Sequence, residues 1–296
     1  MRLDKTNKSP DAVGHPSAGT AQPLVDGYFR DVSSYWEDIY ADEGVQGLVY
    51  RERRRRALRW VAELGLPAES RVLELGCGAG SMTVALAGMG LRVHASDTVD
   101  AMLERAQQGV IRAGQQESVT FGPADAHALT LDTECFDLVV AVGVIPWLHS
   151  PGAAVAEMSR VLVPGGHLLA TSDNRLRLTY ALDPRLNRGL RPLRRAAKRL
   201  FASPNNLTNF AAGAIDPALL RPDTLRRLLL GAGLRVEREE TVGFGPLTFL
   251  AYELLPGDRG KSVHRRLQVL ADRGVPVLRW MGSHHLVLAR KAPAAR

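Results

Sequence analysis

Along the middle of the chain, short and nearly continuous apolar runs trade places with segments whose apolar positions recur every three or four residues. The runs are "RVLEL" (Arg71 to Leu75), "LRVHASD", "VTFGPADA", "FDLVVAVGVIPWL" and "HLLATSD". Runs of this length with few charges predict strands buried on both faces, and the three-to-four spacing between them predicts amphipathic helices. The helices are expected at Ser81 to Met89, over "AMLERAQQGVIRAG", and over "GAAVAEMSRVLV", where "PGG" should end the last one. Further on, "RPDTLRRLLLGAG" predicts another helix, "LRVEREETVGF" a strand, and "HHLVLARK" a final strand. Strands alternating with helices imply an α/β fold, a parallel sheet with crossover helices on both faces.

The ends and interruptions of this rhythm set the domain plan. Residues 1–23 are rich in Pro, Gly, Ser, Thr and Ala, and are expected to form a disordered tail. Residues 24–70 suggest two helices joined by a Gly-containing turn, an N-terminal helical cover. Residues 71–296 then form one domain with two insertions, at about 174–217 and 245–282. Part of the first insertion, "RLNRGLRPLRRAAKRLF", has helical spacing broken by Gly189 and Pro192, so a helix from about Pro192 is expected.

Composition removes several classes of function. The 296 residues are 45% hydrophobic, enough for a substantial core, yet no run nears the roughly 18 apolar residues of a membrane span. The opening lacks the apolar centre of a secretory signal, so a cytoplasmic protein is the simplest expectation. Two cysteines, Cys77 and Cys135, are too few for a disulfide framework. Net charge is +7, with arginines concentrated in "RERRRR" (Arg51 to Arg56) and between Arg175 and Arg199. Such clusters suit phosphates, an anionic membrane surface or nucleic acid, and equally a solvated face. They lack the interleaved aromatics of a single-strand groove, so no nucleic-acid partner is expected. No metal-type spacing occurs, and His284 and His285 alternate across a strand, which keeps them apart. No GxSxG elbow occurs either.

The chemistry starts at "VLELGCGAG". Gly76, Gly78 and Gly80 form a GxGxG turn directly after the first strand, and Ser81 stands where a nicotinamide fingerprint places its third glycine. Glycines there let the backbone approach a ligand and take positive φ. Open α/β sheets bind ligands at the carboxyl ends of their strands. Asp97 closes the second strand about twenty residues later, where an acid can accept both ribose hydroxyls. A helix N-cap would use the same residue.

With these residues the sequence resembles a class I S-adenosylmethionine-dependent methyltransferase, over roughly Arg59 to Asp173 and the last helix–strand units. The resemblance implies a Rossmann-like, doubly wound, seven-stranded and mostly parallel sheet whose last strand is antiparallel. It implies S-adenosyl-L-methionine as cofactor. Glu74, Gly76, Cys77, Gly78 and Gly80 would then hold the methionine part, with Asp97 and Thr98 at the ribose. Asp125 would accept from the adenine amino group, and the Ala126 N–H would serve the neighbouring ring nitrogen. Met102 would pack an adenine face or serve the core. The Val142 carbonyl would meet the cofactor's amino group.

The acceptor side is less defined. Trp147 is expected in the pocket wall. His149 is the candidate general base, since an imidazole can take a proton from a hydroxyl near neutral pH; a structural role would suit it equally. Tyr28, Tyr35 and Trp36 are expected in a lid over cofactor and substrate, metal-free. The activity implied is methyl transfer to a small or amphipathic acceptor, O-methylation favoured. The alternatives are C-methylation of a quinone or isoprenoid-like acceptor, and a cofactor-binding partner protein without activity. The basic insertion points to an anionic or lipid-like acceptor and to peripheral membrane contact.

Overall fold

A computed structural model of the chain describes residues 18–31, 39–187, 190, 217–250 and 252–293. Its strands are β1 (Arg71–Leu75), β2 (Arg92–Asp97), β3 (Val119–Pro123), β4 (Phe136–Ala141), β5 (Leu162–Asn174), β6 (Leu219–Leu220), β7 (Leu234–Val242), β8 (Thr248–Phe249), β9 (Tyr252–Glu253) and β10 (His284–Lys291). The main sheet runs β3-β2-β1-β4-β5-β10-β7, and the two-residue β6 pairs with the end of β5. β1 to β5 pair in parallel, while β10 lies antiparallel between β5 and β7. This is the expected mostly parallel sheet with an antiparallel last strand, and the extra β6 is the addition.

Both faces of the sheet are covered, which is why the central strands read as apolar runs. Val72, Leu138 and Val140 join the core on one face with Trp60 and Leu86, while Leu73, Val139 and Met158 fill the other. Neighbours in one strand thus enter opposite cores, as period-two geometry requires. The flanking helices are α1 (Ala18–Asp31), α2 (Val45–Glu63), α3 (Ser81–Ala87), α4 (Asp100–Arg112), α5 (Pro151–Val161), α6 (Leu178–Leu182), α7 (Pro222–Gly231) and α8 (Gly257–Asp272).

Four expectations need correction. The tail was expected to reach residue 23, but α1 starts at Ala18. Side-chain ties favour the helix: Val25 is buried and Gln22 bonds to Asp26 and Thr98. The fourth strand stops at Ala141 rather than continuing to Leu148, because Gly143 takes φ 89° and Ile145–Trp147 forms a 3₁₀ turn around Pro146. "PGG" is not a helix terminator: β5 begins at Leu162, pairs once with Phe136, and shifts register before His167 aligns with Leu138.

The arginine run is not simply a solvated face. Val49, Arg53, Arg56, Ala57 and Trp60 recur at helical spacing and are all buried on α2. Arg56 is held by Glu52, Glu240 and Asp272 at 2.5–2.6 Å, so its charge is matched inside the fold. Arg54 and Arg55 bond to Ser81 O and Glu52. The second basic cluster falls mainly outside the described residues, as does the helix expected from Pro192. The second insertion contains the β8–β9 hairpin and α8.

Candidate active site

The carboxyl ends of β1, β2, β4 and β5 open into a cavity of about 690 Å³. Its floor is the turn after β1. Gly76, Gly78 and Gly80 take φ of 64°, 53° and 82°, a region that suits glycine. A Cβ on Gly76 would stand 2.6 Å from the Val144 side chain, and one on Gly80 would stand 2.8 Å from Ala106 Cα. Only glycines let the turn lie this close to its neighbours.

Two acids frame the turn. Asp97 Oδ2 accepts the Gly78 N–H at 2.9 Å and Oδ1 accepts the Val99 N–H at 3.0 Å, so the carboxylate fixes the turn and still has a lone pair on each oxygen. Burial raises its pKa against those backbone bonds. Glu74 is buried and accepts from Thr83 Oγ1 at 2.6 Å. Burial, with Asp97 adding to it, pushes Glu74 up to about 8 despite the Thr83 bond. Cys77 lines the same wall, and burial drives its thiol pKa far upward, so it is an inert, neutral thiol there.

Asp125, Ala126 and Met102 line the far end of the cavity, and Val142 the middle. Met102 is also almost fully buried, so it serves core and cavity together. Asp125 Oδ1 accepts from the His127 N–H at 2.9 Å and from His127 Nδ1 at 2.6 Å. Burial works to raise the Asp125 pKa, but the His127 bonds outweigh it and leave the carboxyl below its usual range.

The lid is only partly the expected one. α1 is latched beside Asp97 by Thr98 Oγ1, which donates to Asp26 Oδ1 at 2.7 Å. Phe29 lines the cavity, whereas Tyr28 stacks on Trp147 with ring centroids 5.3 Å apart and does not line it. Trp147 is in the wall, as expected, and Phe29 meets it edge-on at 4.9 Å. Tyr35 and Trp36 lie outside the described residues. His149 is not in the lining: its ring stacks on His127 at 3.6 Å. That placement removes the observation a general base would need.

Sequence reasoning missed the opposite end of the cavity. Tyr40, Tyr50, Arg53 and Asp173 line it. Arg51 Nη1 donates to the Tyr40 and Asp42 carbonyls, and Asp42 caps the start of α2, which places Tyr40 over the opening. Asn174 Nδ2 donates to the Trp280 and Gly282 carbonyls, tying the end of β5 to the start of β10. Asp173 and His284 therefore meet, Oδ1 to Nδ1 at 3.1 Å, with the Tyr50 ring 5.4 Å from the imidazole. Burial opposes ionisation of Asp173, but His284, Arg177 and Arg53 hold its pKa below the ordinary value. Burial lowers that of His284. An ionised Asp173 beside a neutral imidazole makes Nδ1 the donor. His285, next along β10, faces Glu239 instead, on the other side of the sheet.

Arg53 joins the two ends. It is 6% exposed, lies over the Tyr50 ring at 4.6 Å, and its Nε has no hydrogen-bond partner among the described residues. A Cβ on Gly143 would stand 3.5 Å from both its Nη atoms, which puts the guanidinium beside the loop that follows β4. A buried cation with an unused donor fork fits a carboxylate. The signal was present in the sequence: Val49, Arg53, Arg56 and Trp60 share one helix face.

The donor set thus offers acids for a ribose and an amino-purine, glycines that admit a bulky ligand, and an arginine for a carboxylate. That set, on a doubly wound sheet, fits an adenosyl amino acid. Comparison with known proteins agrees: residues 73–170 match the family model described as a methyltransferase domain. Residues 73–170 are thus a methyltransferase domain, and the relatives support a class I S-adenosylmethionine-dependent methyltransferase with S-adenosylmethionine as the cofactor.

The chain is 27% identical over 192 residues to the ubiquinone biosynthesis O-methyltransferase of Thiobacillus denitrificans, covering 64% of this chain and 75% of that one. It is 32% identical over 198 residues to the trans-aconitate 2-methyltransferase of Streptomyces coelicolor, covering 65% of this chain and 58% of the relative. In fold it matches the magnesium protoporphyrin IX methyltransferase of Synechocystis PCC 6803, solved with bound SAH, at a TM-score of 0.61. Identity there is 16%, with 92% of this chain and 100% of that chain covered.

Proposed function

We propose that the chain transfers the methyl group of S-adenosylmethionine to a hydroxyl of a small molecule bound between Tyr40, Tyr50 and Asp173. Asp173 carries this reading: an ionised carboxylate in the wall of the cavity, braced by His284, is an acceptor for an O–H group. One of the similar proteins is an O-methyltransferase by name, which supports an oxygen acceptor.

In this reading Asp97 and Asp125 hold the ribose and the adenine amino group, and Arg53 takes the cofactor's carboxylate. The bound cofactor supplies an electrophilic methyl group on a sulfonium. Asp173 orients the acceptor oxygen by taking its hydrogen bond, and receives the proton as the oxygen–methyl bond forms. The Nδ1–H of His284 takes Oδ1, and Oδ2, with Arg177 Nη2 at 3.9 Å, is the oxygen left for the acceptor. Phe29, Trp147 and α1 exclude water from the same space. Much of the rate would come from placement, because holding the nucleophile about 3 Å from the methyl carbon replaces an encounter in solution.

The test is turnover to S-adenosylhomocysteine with a panel of phenols, catechols, enols and hydroxy acids, with the product's methyl group assigned by NMR. An O-methyl product, with kcat lowered about 10²-fold or more in Asp173→Asn while cofactor affinity holds, is the expected result. A C-methyl product, or an Asp173→Asn enzyme with unchanged kcat, would overturn it.

A further inference from the structure

Asp125 is only half-buried for the work proposed for it. Its side chain is 42% accessible, at the edge of the cavity. A carboxylate left to itself in such a position would swing among rotamers and share its lone pairs with water. Its discrimination between purines would be poor.

His127 removes that freedom. Its backbone N–H and its ring Nδ1 both reach Asp125 Oδ1, at 2.9 and 2.6 Å, while Oδ2 accepts no hydrogen bond among the described residues. The ring is itself held from two further sides. Ser150 N–H, at the start of α5, donates to His127 Nε2 at 3.3 Å, and the His149 ring stacks on it at 3.6 Å. Because Nε2 accepts, the neutral ring carries its proton on Nδ1 and donates it to Asp125. The His127 side chain is only 8% exposed, so this arrangement is part of the packed interior.

We infer that His127 is a positioning residue that fixes Asp125 so that its free oxygen selects a purine bearing an amino group. This rests on the adenine site proposed above and adds the source of its selectivity. An amino-purine donates N–H to Oδ2. A 6-oxo purine presents an oxygen there, and a fixed carboxylate repels it. If Asp125 could rotate away, that penalty would be lost. His127 lies two residues beyond Asp125 and does not line the cavity, so motif reading does not single it out.

Calorimetric titration of the full-length chain with S-adenosylhomocysteine and with S-inosylhomocysteine tests this, using His127→Ala, His127→Asn and Asp125→Ala with melting curves to verify folding. The wild type should prefer the adenine form by on the order of 10- to 100-fold, the range of one hydrogen bond to a charged group. His127→Ala should bring the two affinities within about threefold of each other, the loss expected when that bond is no longer oriented. His127→Asn should keep most of the preference, because its amide N–H takes the place of Nδ1–H. The amide does not reach Ser150, so this variant separates anchoring of Asp125 from tethering of the α5 loop. Equal loss in both His127 variants, or weakening of both ligands with the preference kept, would overturn the inference. If Asp125→Ala loses the preference and His127→Ala keeps it, the inference falls and the adenine site stands. If Asp125→Ala also keeps it, the adenine site falls as well.

Discussion

The two ends of the cavity, one proposed for the cofactor and the other for the acceptor, are built on different principles. At the end proposed for the cofactor, Glu74 and Asp97 sit at the ends of β1 and β2, and the glycine turn and Asp125 follow β1 and β3 within two residues, so the sheet sets their spacing. At the acceptor end, Tyr50 and Arg53 come from α2, Asp173 from the tip of β5, and His284 from the antiparallel β10. Asp173 and His284 are 111 residues apart in the chain and meet because β5 and β10 pair with these two residues opposite each other, a register that Asn174 reinforces. The first arrangement specifies a ligand within local motifs. The second can be rebuilt from distant segments without disturbing the first, which is how one fold comes to serve many acceptors.

The sharpest way to break this division is at Asp97. Asp97→Ala removes the ribose acceptor and the bond that holds Gly78, and should weaken S-adenosylhomocysteine binding about 100-fold by calorimetry. A folded Asp97→Ala protein with unchanged affinity would place the ligand elsewhere. Arg53 probes the border between the two ends. Arg53→Met should weaken S-adenosylhomocysteine about tenfold and leave 5′-methylthioadenosine, which lacks the amino-acid part, unaffected. Equal weakening of both would make Arg53 a structural residue of α2.

Glu74 gives a smaller effect with a definite sign. Burial holds its pKa at about 8, so at pH 7 the free protein carries it mostly protonated. A cofactor cation beside it favours the carboxylate, so binding should expel up to about one proton, and affinity should rise from pH 6 to 8 and then level. Titrations in buffers of different ionisation enthalpy measure this, and Glu74→Gln should abolish it. The same shift acts on the fold alone. Between the ordinary value of 4.5 and about 8 the folded state holds a proton that the unfolded state releases, so stability should decline across that window as pH rises. The smallest effect is expected at His149: with its ring packed on His127 and away from the lining, His149→Ala should retain near-normal turnover. A fall of about 10²-fold or more would return the general base to it.

The cofactor end was legible in the sequence for the reason just given: a strand fixes what comes directly after it. Its second layer was not, and His127 shows why, since its role depends on Ser150 reaching back from the start of α5. The acceptor end stayed hidden because no local pattern announces a pairing such as Asp173 with His284. On α1 the lid residue was off by one: Phe29 lines the cavity and Tyr28 packs on Trp147, a difference of about 100° around the helix. Spacing gives a face, and only the neighbours decide which way it turns. The arginine run misled in the opposite sense, since charge suggested solvent while Arg53 and Arg56 sit on the buried stripe.

The central claim is that the cavity beyond β1, β2 and β4 is an adenosyl amino-acid site rather than a dinucleotide site. Calorimetry of the full-length chain with S-adenosylhomocysteine, run beside NADH, tests it most directly. One S-adenosylhomocysteine per chain, displaced by S-adenosylmethionine and untouched by NADH, is the expected result. Tight binding of NADH, or no binding of S-adenosylhomocysteine by the folded protein, would contradict it.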